Sequence, residues 1–169
     1  MTRLQADHRP RDARRYEIAD GRLLVTGTQP PAHQAAVVGL LVALKQACPP
    51  GLRVAVNSLD FRPTPHLTLR PDLLVCPAEA AGPQYTPTLL LAVEVISPTT
   101  RTTDVVLKRA LYERAAVPAY WLLDPAAQEL TILHLTPTGY TCETVIQAEE
   151  IHEATFPFPV TLCPTKLLS

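Results

Sequence analysis

Two carboxylates set in apolar surroundings are the residues of this chain best placed to do chemistry. Asp72 follows Pro71 in RPDLLVC, and Glu94 interrupts the apolar run LLLAVEVIS. A buried carboxylate is costly unless hydrogen-bond donors or a cation replace its lost hydration. If the two segments pair as antiparallel strands, both acids project on the same side at the same end of the sheet. Acids that converge in this way repel, unless one holds a proton or a cation lies between them. Hard oxygen ligands of this kind suit Mg2+, which takes one or two carboxylates and keeps its remaining positions for water and phosphate oxygens. On spacing alone another reading stands equally: a strand-start residue, and a buried carboxylate satisfied by backbone donors or an arginine.

A helix face beyond Glu94 carries the next group. Asp104, Lys108 and Tyr112 recur at every fourth position and so share one side of a helix. A lysine near two metal-binding acids could orient an attacking water or neutralise charge developing on a phosphate. By helix periodicity alone, however, Asp104 and Lys108 read as an exposed salt bridge of small energetic weight.

The elements that must position these groups follow from the chain's pattern. RYEIADGRLLVTG predicts a β-hairpin turning at Asp20-Gly21. PPAHQAAVVGLLVALKQACPPG predicts a helix, opened by Pro30-Pro31 and ended by Pro49-Pro50-Gly51, with Val37, Leu40, Leu41 and Leu44 facing the core. LRVAVNSLDFRP, LTLRPDLLVC and LLLAVEVIS read as three strands, the last two separated by the Pro- and Ala-rich loop PAEAAGPQYTPT. An amphipathic helix over Thr103 to Ala115 then leads to the buried strand PAYWLLDP, and ELTILHL with YTCETVI forms a closing hairpin. A helix joining two strands implies a parallel crossover, while short loops imply antiparallel neighbours. The class is therefore α/β with a mixed sheet. Trp121 reads as core, Asp124 as a cap of the turn after its strand, and Arg101 and Arg109 as phosphate contacts or solvated cations.

Composition narrows the partners. A chain of 169 residues with 47% hydrophobic and 18% charged residues is expected to be one globular domain. Its net charge of −1 does not mark the whole molecule as a nucleic-acid binder. Arginines 3, 9, 11, 14 and 15 crowd the start, so residues 1–15 read as a basic, flexible arm and residues 16–169 as the domain. Cys48, Cys76, Cys142 and Cys163 form no CxxC pair, which argues against zinc and disulfides. With neither a secretory signal nor an apolar span, the expectation is a reduced, soluble, cytoplasmic protein with no membrane partner.

RPDLLV, LAVEVISPTT, the Asp-x-x-x-Lys of DVVLKRALYERAAVPAYWLLDP, the early YEIADG and PPAHQAAV together resemble the Uma-type endonuclease family of the PD-(D/E)XK nuclease superfamily. The resemblance runs from about Tyr16 to FPFPVTLCPTKLL, and the stretch from Pro71 to Pro125 is its specific part. It implies a restriction-endonuclease-like core, a central mixed β-sheet flanked by helices with an N-terminal β-hairpin, and Mg2+ or Mn2+ at one end. Asp72 and Glu94 match the motif acids as metal ligands, and the backbone carbonyl of Val95 is implied as a further ligand. The superfamily's usual lysine, two residues after the second acid, is replaced here by Ile96. The family's lysine matches Lys108 instead, and Glu17 and His33 fall at family-like site positions. The implied activity is metal-dependent hydrolysis of DNA, with a homodimer as the natural way to cut both strands. The alternative is a nuclease-fold protein that binds DNA or a protein partner with little or no cutting.

Overall fold

The structure, a computed structural model, describes residues 14–169. The basic arm therefore lies outside the described residues except for Arg14 and Arg15. Arg15 belongs to no arm: it is the first residue of β1 (Arg15–Ala19), which pairs with β2 (Arg22–Thr26). Their turn places Asp20 at φ 50° and Gly21 at φ 76°, the left-handed pair that a two-residue hairpin of this twist requires.

Helix α1 (Pro31–Ala47) starts on a proline and buries His33, Ala36, Val37, Leu40 and Leu44. The chain continues as β3 (Leu52–Val56), β4 (Asp60–Thr64), β5 (Leu67–Leu69), β6 (Leu73–Pro77), β7 (Tyr85–Thr86) and β8 (Leu91–Val95). A π-helical segment, Thr103–Lys108, runs into α2 (Arg109–Arg114). After it come β9 (Ala119–Asp124), β10 (Glu129–Thr136), β11 (Gly139–Gln147), β12 (His152–Ala154), β13 (Val160–Leu162) and α3 (Pro164–Leu167).

A six-stranded sheet, in the order β11-β10-β9-β8-β6-β3, forms the centre. It is mixed: β8 runs parallel to β9, and the other neighbours are antiparallel. The parallel pair is joined through the π segment and α2, as a crossover must be. A second sheet, β2-β1-β5-β4-β7, lies over one face, and β12 pairs with β13 separately.

Two of the expected strands each divide into two, with a physical reason in each case. LRVAVNSLDFRP splits into β3 and β4 where Asn57 turns to φ 47°. LTLRPDLLVC splits into β5 and β6 at Arg70-Pro71-Asp72, because proline has no N–H to give to a ladder. In both cases the halves belong to different sheets. Asp72 therefore stands where the chain passes from the second sheet to the central one.

Strand alternation sorts the core into two layers. Leu73, Val75, Leu91, Val93, Val95, Trp121 and Leu123 pack with α1, β13 and α3. Leu74, Cys76, Ala92, Tyr120 and Leu122 pack with Phe61, Leu67, Leu69 and Tyr112 on the other face. Trp121 is fully buried, as expected of core. On the first face α1 touches α3 so closely that a Cβ on Gly39 would lie 2.1 Å from the Leu167 carbonyl oxygen.

Candidate functional site

The register of β6 and β8 pairs Leu73 with Val93. Asp72 and Glu94 are one step beyond that pair, and alternation turns both toward the second sheet and α2. Both are 1% exposed. The antiparallel pairing, which the sequence left as a condition, is the one found, and it brings the two acids together at one end of the sheet.

Each oxygen has a distinct neighbour. Asp72 Oδ2 accepts the Val95 N–H at 2.8 Å and lies 3.1 Å from His33 Nε2, while Asp72 Oδ1 takes the Arg15 guanidinium. Glu94 Oε1 accepts Lys108 Nζ and Tyr112 OH, both at 3.0 Å, and its Oε2 faces Arg15 Nη1 at 3.7 Å. Arg15 therefore sits between the two acids on the side that His33, Val95 and Lys108 leave open. It is held there by the Arg70 carbonyl oxygen at 3.1 Å and Asn57 Oδ1 at 2.8 Å.

His33 reaches Asp72 because it lies in the first turn of α1, at the sheet end where Asp72 enters β6. Its Nδ1 is buried and finds no hydrogen-bond partner among the described residues. With Nε2–H turned to the carboxylate, Nδ1 is the ring's acceptor nitrogen.

Lys108 is 2% exposed and Asp104 3%, so this pair is no exposed helix salt bridge. The π segment turns Asp104 and Lys108 inward and leaves Val106 and Leu107 exposed, the reverse of the usual amphipathic arrangement, while α2 buries Leu111 and Tyr112. The π turn, wider than an α turn, carries Asp104 and Lys108 together. Lys108 Nζ reaches Glu94 Oε1 at 3.0 Å, Glu17 Oε2 at 3.2 Å and Asp104 Oδ1 at 3.6 Å. A lysine from the helix thus arrives beside Glu94, while Ile96 packs into the apolar layer. Glu17 touches Lys108 and the Arg70 N–H, at 2.8 Å, and positions the lysine from the first hairpin.

The charges divide the two acids. Burial alone would raise Asp72, but the hydrogen bond from His33 and the Arg15 charge hold its carboxyl well below the usual range. Burial pushes Glu94 well up, only partly countered by Lys108. Burial would lower Lys108, yet Glu17, Glu94 and Asp104 overcome it and keep the ammonium charged. Asp104 is raised by burial, against the pull of Lys108.

The donor set fits a hard divalent ion of the water-rich kind. Two carboxylates already converge on a cation, the guanidinium of Arg15, which stands where a metal would be expected. Among the described residues no cluster of three or more His, Cys, Asp and Glu side chains is arranged to hold a metal, since Lys108 fills the space among Glu17, Glu94 and Asp104. Mg2+ needs no larger set, because it keeps most of its waters. The void between the acids measures about 10 Å³, room for one water at most. With Arg15 in place, the void has no room for an ion with its water shell.

Arg15 is the site residue that the sequence reading missed. The usable signal was its place directly before Tyr16-Glu17-Ile18, which makes it the first residue of a strand. Other expected contacts resolve simply. Asp124 caps its turn by accepting the Ala126 and Ala127 N–H groups and also pairs with Arg101; Arg109 donates to the Tyr140 carbonyl.

A sequence model of the Uma2 family, described as "Putative restriction endonuclease", matches residues 3–163. Among solved structures, the chain is similar to one titled "a putative nuclease belonging to DUF820 from Anabaena variabilis ATCC 29413". The TM-score is 0.71 with 16% identity, over 90% of this chain and 89% of that one. At that identity the likeness concerns the fold. No functionally curated protein matches the chain. Among the described residues, no helix is long and apolar enough to cross a membrane.

Proposed function

The chain belongs to the Uma2 family of restriction-endonuclease-like proteins, and on that premise we propose that it is a divalent-metal-dependent endonuclease that hydrolyses DNA phosphodiester bonds at the Asp72–Glu94 pair. One observation supports this above all: two buried carboxylates from adjacent strands converge on a single cation position, with a lysine on the flank. Asp72 and Glu94 would hold Mg2+ or Mn2+, with the Val95 carbonyl as a further oxygen ligand. The ion, when bound, polarises a phosphoryl oxygen and lowers the pKa of coordinated water.

The chain's own residues do the rest. His33 and the Val95 N–H fix Asp72 Oδ2, so that Oδ1 faces the cation position. Lys108 and Tyr112 hold Glu94 Oε1, which turns Oε2 toward Asp72, and the Lys108 ammonium offsets negative charge gained by a phosphate. Glu17 and Asp104 keep that ammonium in place. A homodimer would present two such sites to the two strands of a duplex.

Supercoiled plasmid incubated with Mg2+ or Mn2+ tests the reading. Wild type should nick it in a manner abolished by EDTA, and Asp72→Asn and Glu94→Gln should each lose at least about a hundredfold in rate. Equal rates for wild type and Asp72→Asn would remove the catalytic assignment. A second reading, a nuclease-fold protein that binds DNA without cutting, is favoured by Arg15 filling the cation position and by Ile96 in the usual lysine place. Gel shift without any Mn2+ uptake in calorimetry would select it.

A further inference from the structure

Beside the carboxylate pair lies a second hollow of about 400 Å³, whose walls include Arg14, Arg15, Gln29, Gln34, Asn57 and Arg70. None of the described residues that line it is acidic, in a chain with more Asp and Glu than Lys and Arg. Two residues, Arg15 and Gln29, also line the small void between Asp72 and Glu94, so the two spaces share a wall. Gln29 Oε1 is buried and has no hydrogen-bond partner among the described residues. Its amide end is thus an unspent polar group, and either of its atoms can face a ligand once the amide is turned.

Guanidinium forks and side-chain amides, without a carboxylate among them, are the chemistry that recognises phosphate oxygens. The hollow's size falls in the range of about 300–1,000 Å³ that takes small-molecule-sized ligands, more than a single phosphate needs. Arg70 is steered from behind by Asp60, whose Oδ1 accepts its Nε–H at 2.9 Å. Arg15 spans the border, with Asp72 on one side and Asn57 on the other.

We propose that this hollow binds the phosphodiester backbone of a nucleic acid next to the bond at the carboxylate pair, with Arg15 as the residue common to both. The proposal rests on the nuclease reading of the neighbouring site. Arg15 neutralises Asp72 and borders the hollow at the same time, so its guanidinium offers phosphate a charged fork with or without an ion at the acids.

A charge placed in the hollow tests this. Gln34 and Gln46 are both exposed on α1, but only Gln34 lines the hollow, so Gln34→Glu and Gln46→Glu change net charge equally. Binding of a short fluorescein-labelled DNA, as duplex and as single strand, is followed by anisotropy in EDTA, where nothing is cut. Gln34→Glu should bind at least one form about tenfold more weakly than wild type, with Gln46→Glu close to wild type. Equal affinities of the two variants, or no binding of either form by wild type, would overturn the proposal. So would displacement of the labelled DNA by inorganic phosphate as effective per phosphate as unlabelled DNA, which would make the hollow a free-phosphate site. Cleavage is scored separately. If wild type cuts nothing yet Gln34→Glu still weakens binding, the hydrolase reading falls and the hollow stands; if it cuts and the two variants bind alike, only the hollow falls.

Discussion

The guanidinium of Arg15 pairs with Asp72 Oδ1 and lies 3.7 Å from Glu94 Oε2, so one arginine holds the place between the two acids. Its side chain is 14% exposed, against 2% and 1% for the acids, and it stands on the outer side of the pair. The arginine is thus both the counter-ion of the closed site and the competitor of any incoming cation. Arg15→Gln should raise Mn2+ affinity, measured by titration calorimetry, by about tenfold, equivalent to roughly 1.4 kcal/mol. The metal-free variant should also melt at a lower temperature, because two buried acids lose their cation. Unchanged or weaker Mn2+ binding in a folded variant would show that Arg15 is not in competition with the ion.

Asp72 should leave a signature in acid. Its folded carboxyl is held well below the ordinary aspartate range, so the unfolded chain binds the proton more readily. The stabilisation is therefore complete above about pH 5 and is lost as pH falls toward the folded value. Asp72→Asn should cost more stability at pH 7 than at pH 3, as read from urea midpoints at the two pH values. A penalty independent of pH would mean that the carboxylate charge contributes nothing to the fold. Glu94 works in the opposite sense, since its raised value favours the protonated folded form, and comparison with Asp72→Asn separates the two.

Gly39 tests the packing that holds α1, and with it His33, against the sheet. A Cβ at that position would meet the Leu167 backbone oxygen at 2.1 Å, and backbone cannot rotate aside as a side chain does. Gly39→Ala should destabilise the protein by about 1–3 kcal/mol, despite alanine's better helix propensity. A neutral or stabilising result in urea unfolding would show that α3 is free to shift away.

The sequence carried the hairpin at Asp20-Gly21, α1, the pairing of the Asp72 and Glu94 strands and the crossover after Glu94, because each depends on local turn chemistry or apolar periodicity. It did not reveal that Arg70-Pro71-Asp72 passes between two sheets, since one strand and two collinear strands of different sheets share the same alternation. The contacts of Lys108 were legible only through the family resemblance. Periodicity puts Asp104, Lys108 and Tyr112 on one face but does not say whether that face looks inward, and here a π turn and the facing Glu17 and Glu94 decide it. Arg15 was obscured by its neighbours: a cluster of arginines reads as a solvated tail, and only the long-range partners Asn57, Asp72 and Glu94 distinguish the one that folds into the site.

Lys108 and Glu17 offer the strictest check on how the site is held. Lys108→Met removes the cation shared by Glu17, Glu94 and Asp104 and should cost about 3–5 kcal/mol, the penalty for leaving buried charge uncompensated. Glu17→Gln should cost much less, because Lys108 keeps Glu94 and Asp104 and a glutamine oxygen can still accept the Arg70 N–H. If the two act as a unit, the double variant should be more stable than the sum of the single losses by about 1–3 kcal/mol. Glu17 would then act through the lysine, and Glu17→Gln should lower the turnover of plasmid cleavage without weakening Mn2+ binding. Additive losses in the double-mutant cycle, or a matching fall in Mn2+ affinity, would place Glu17 with the acids that hold the ion instead.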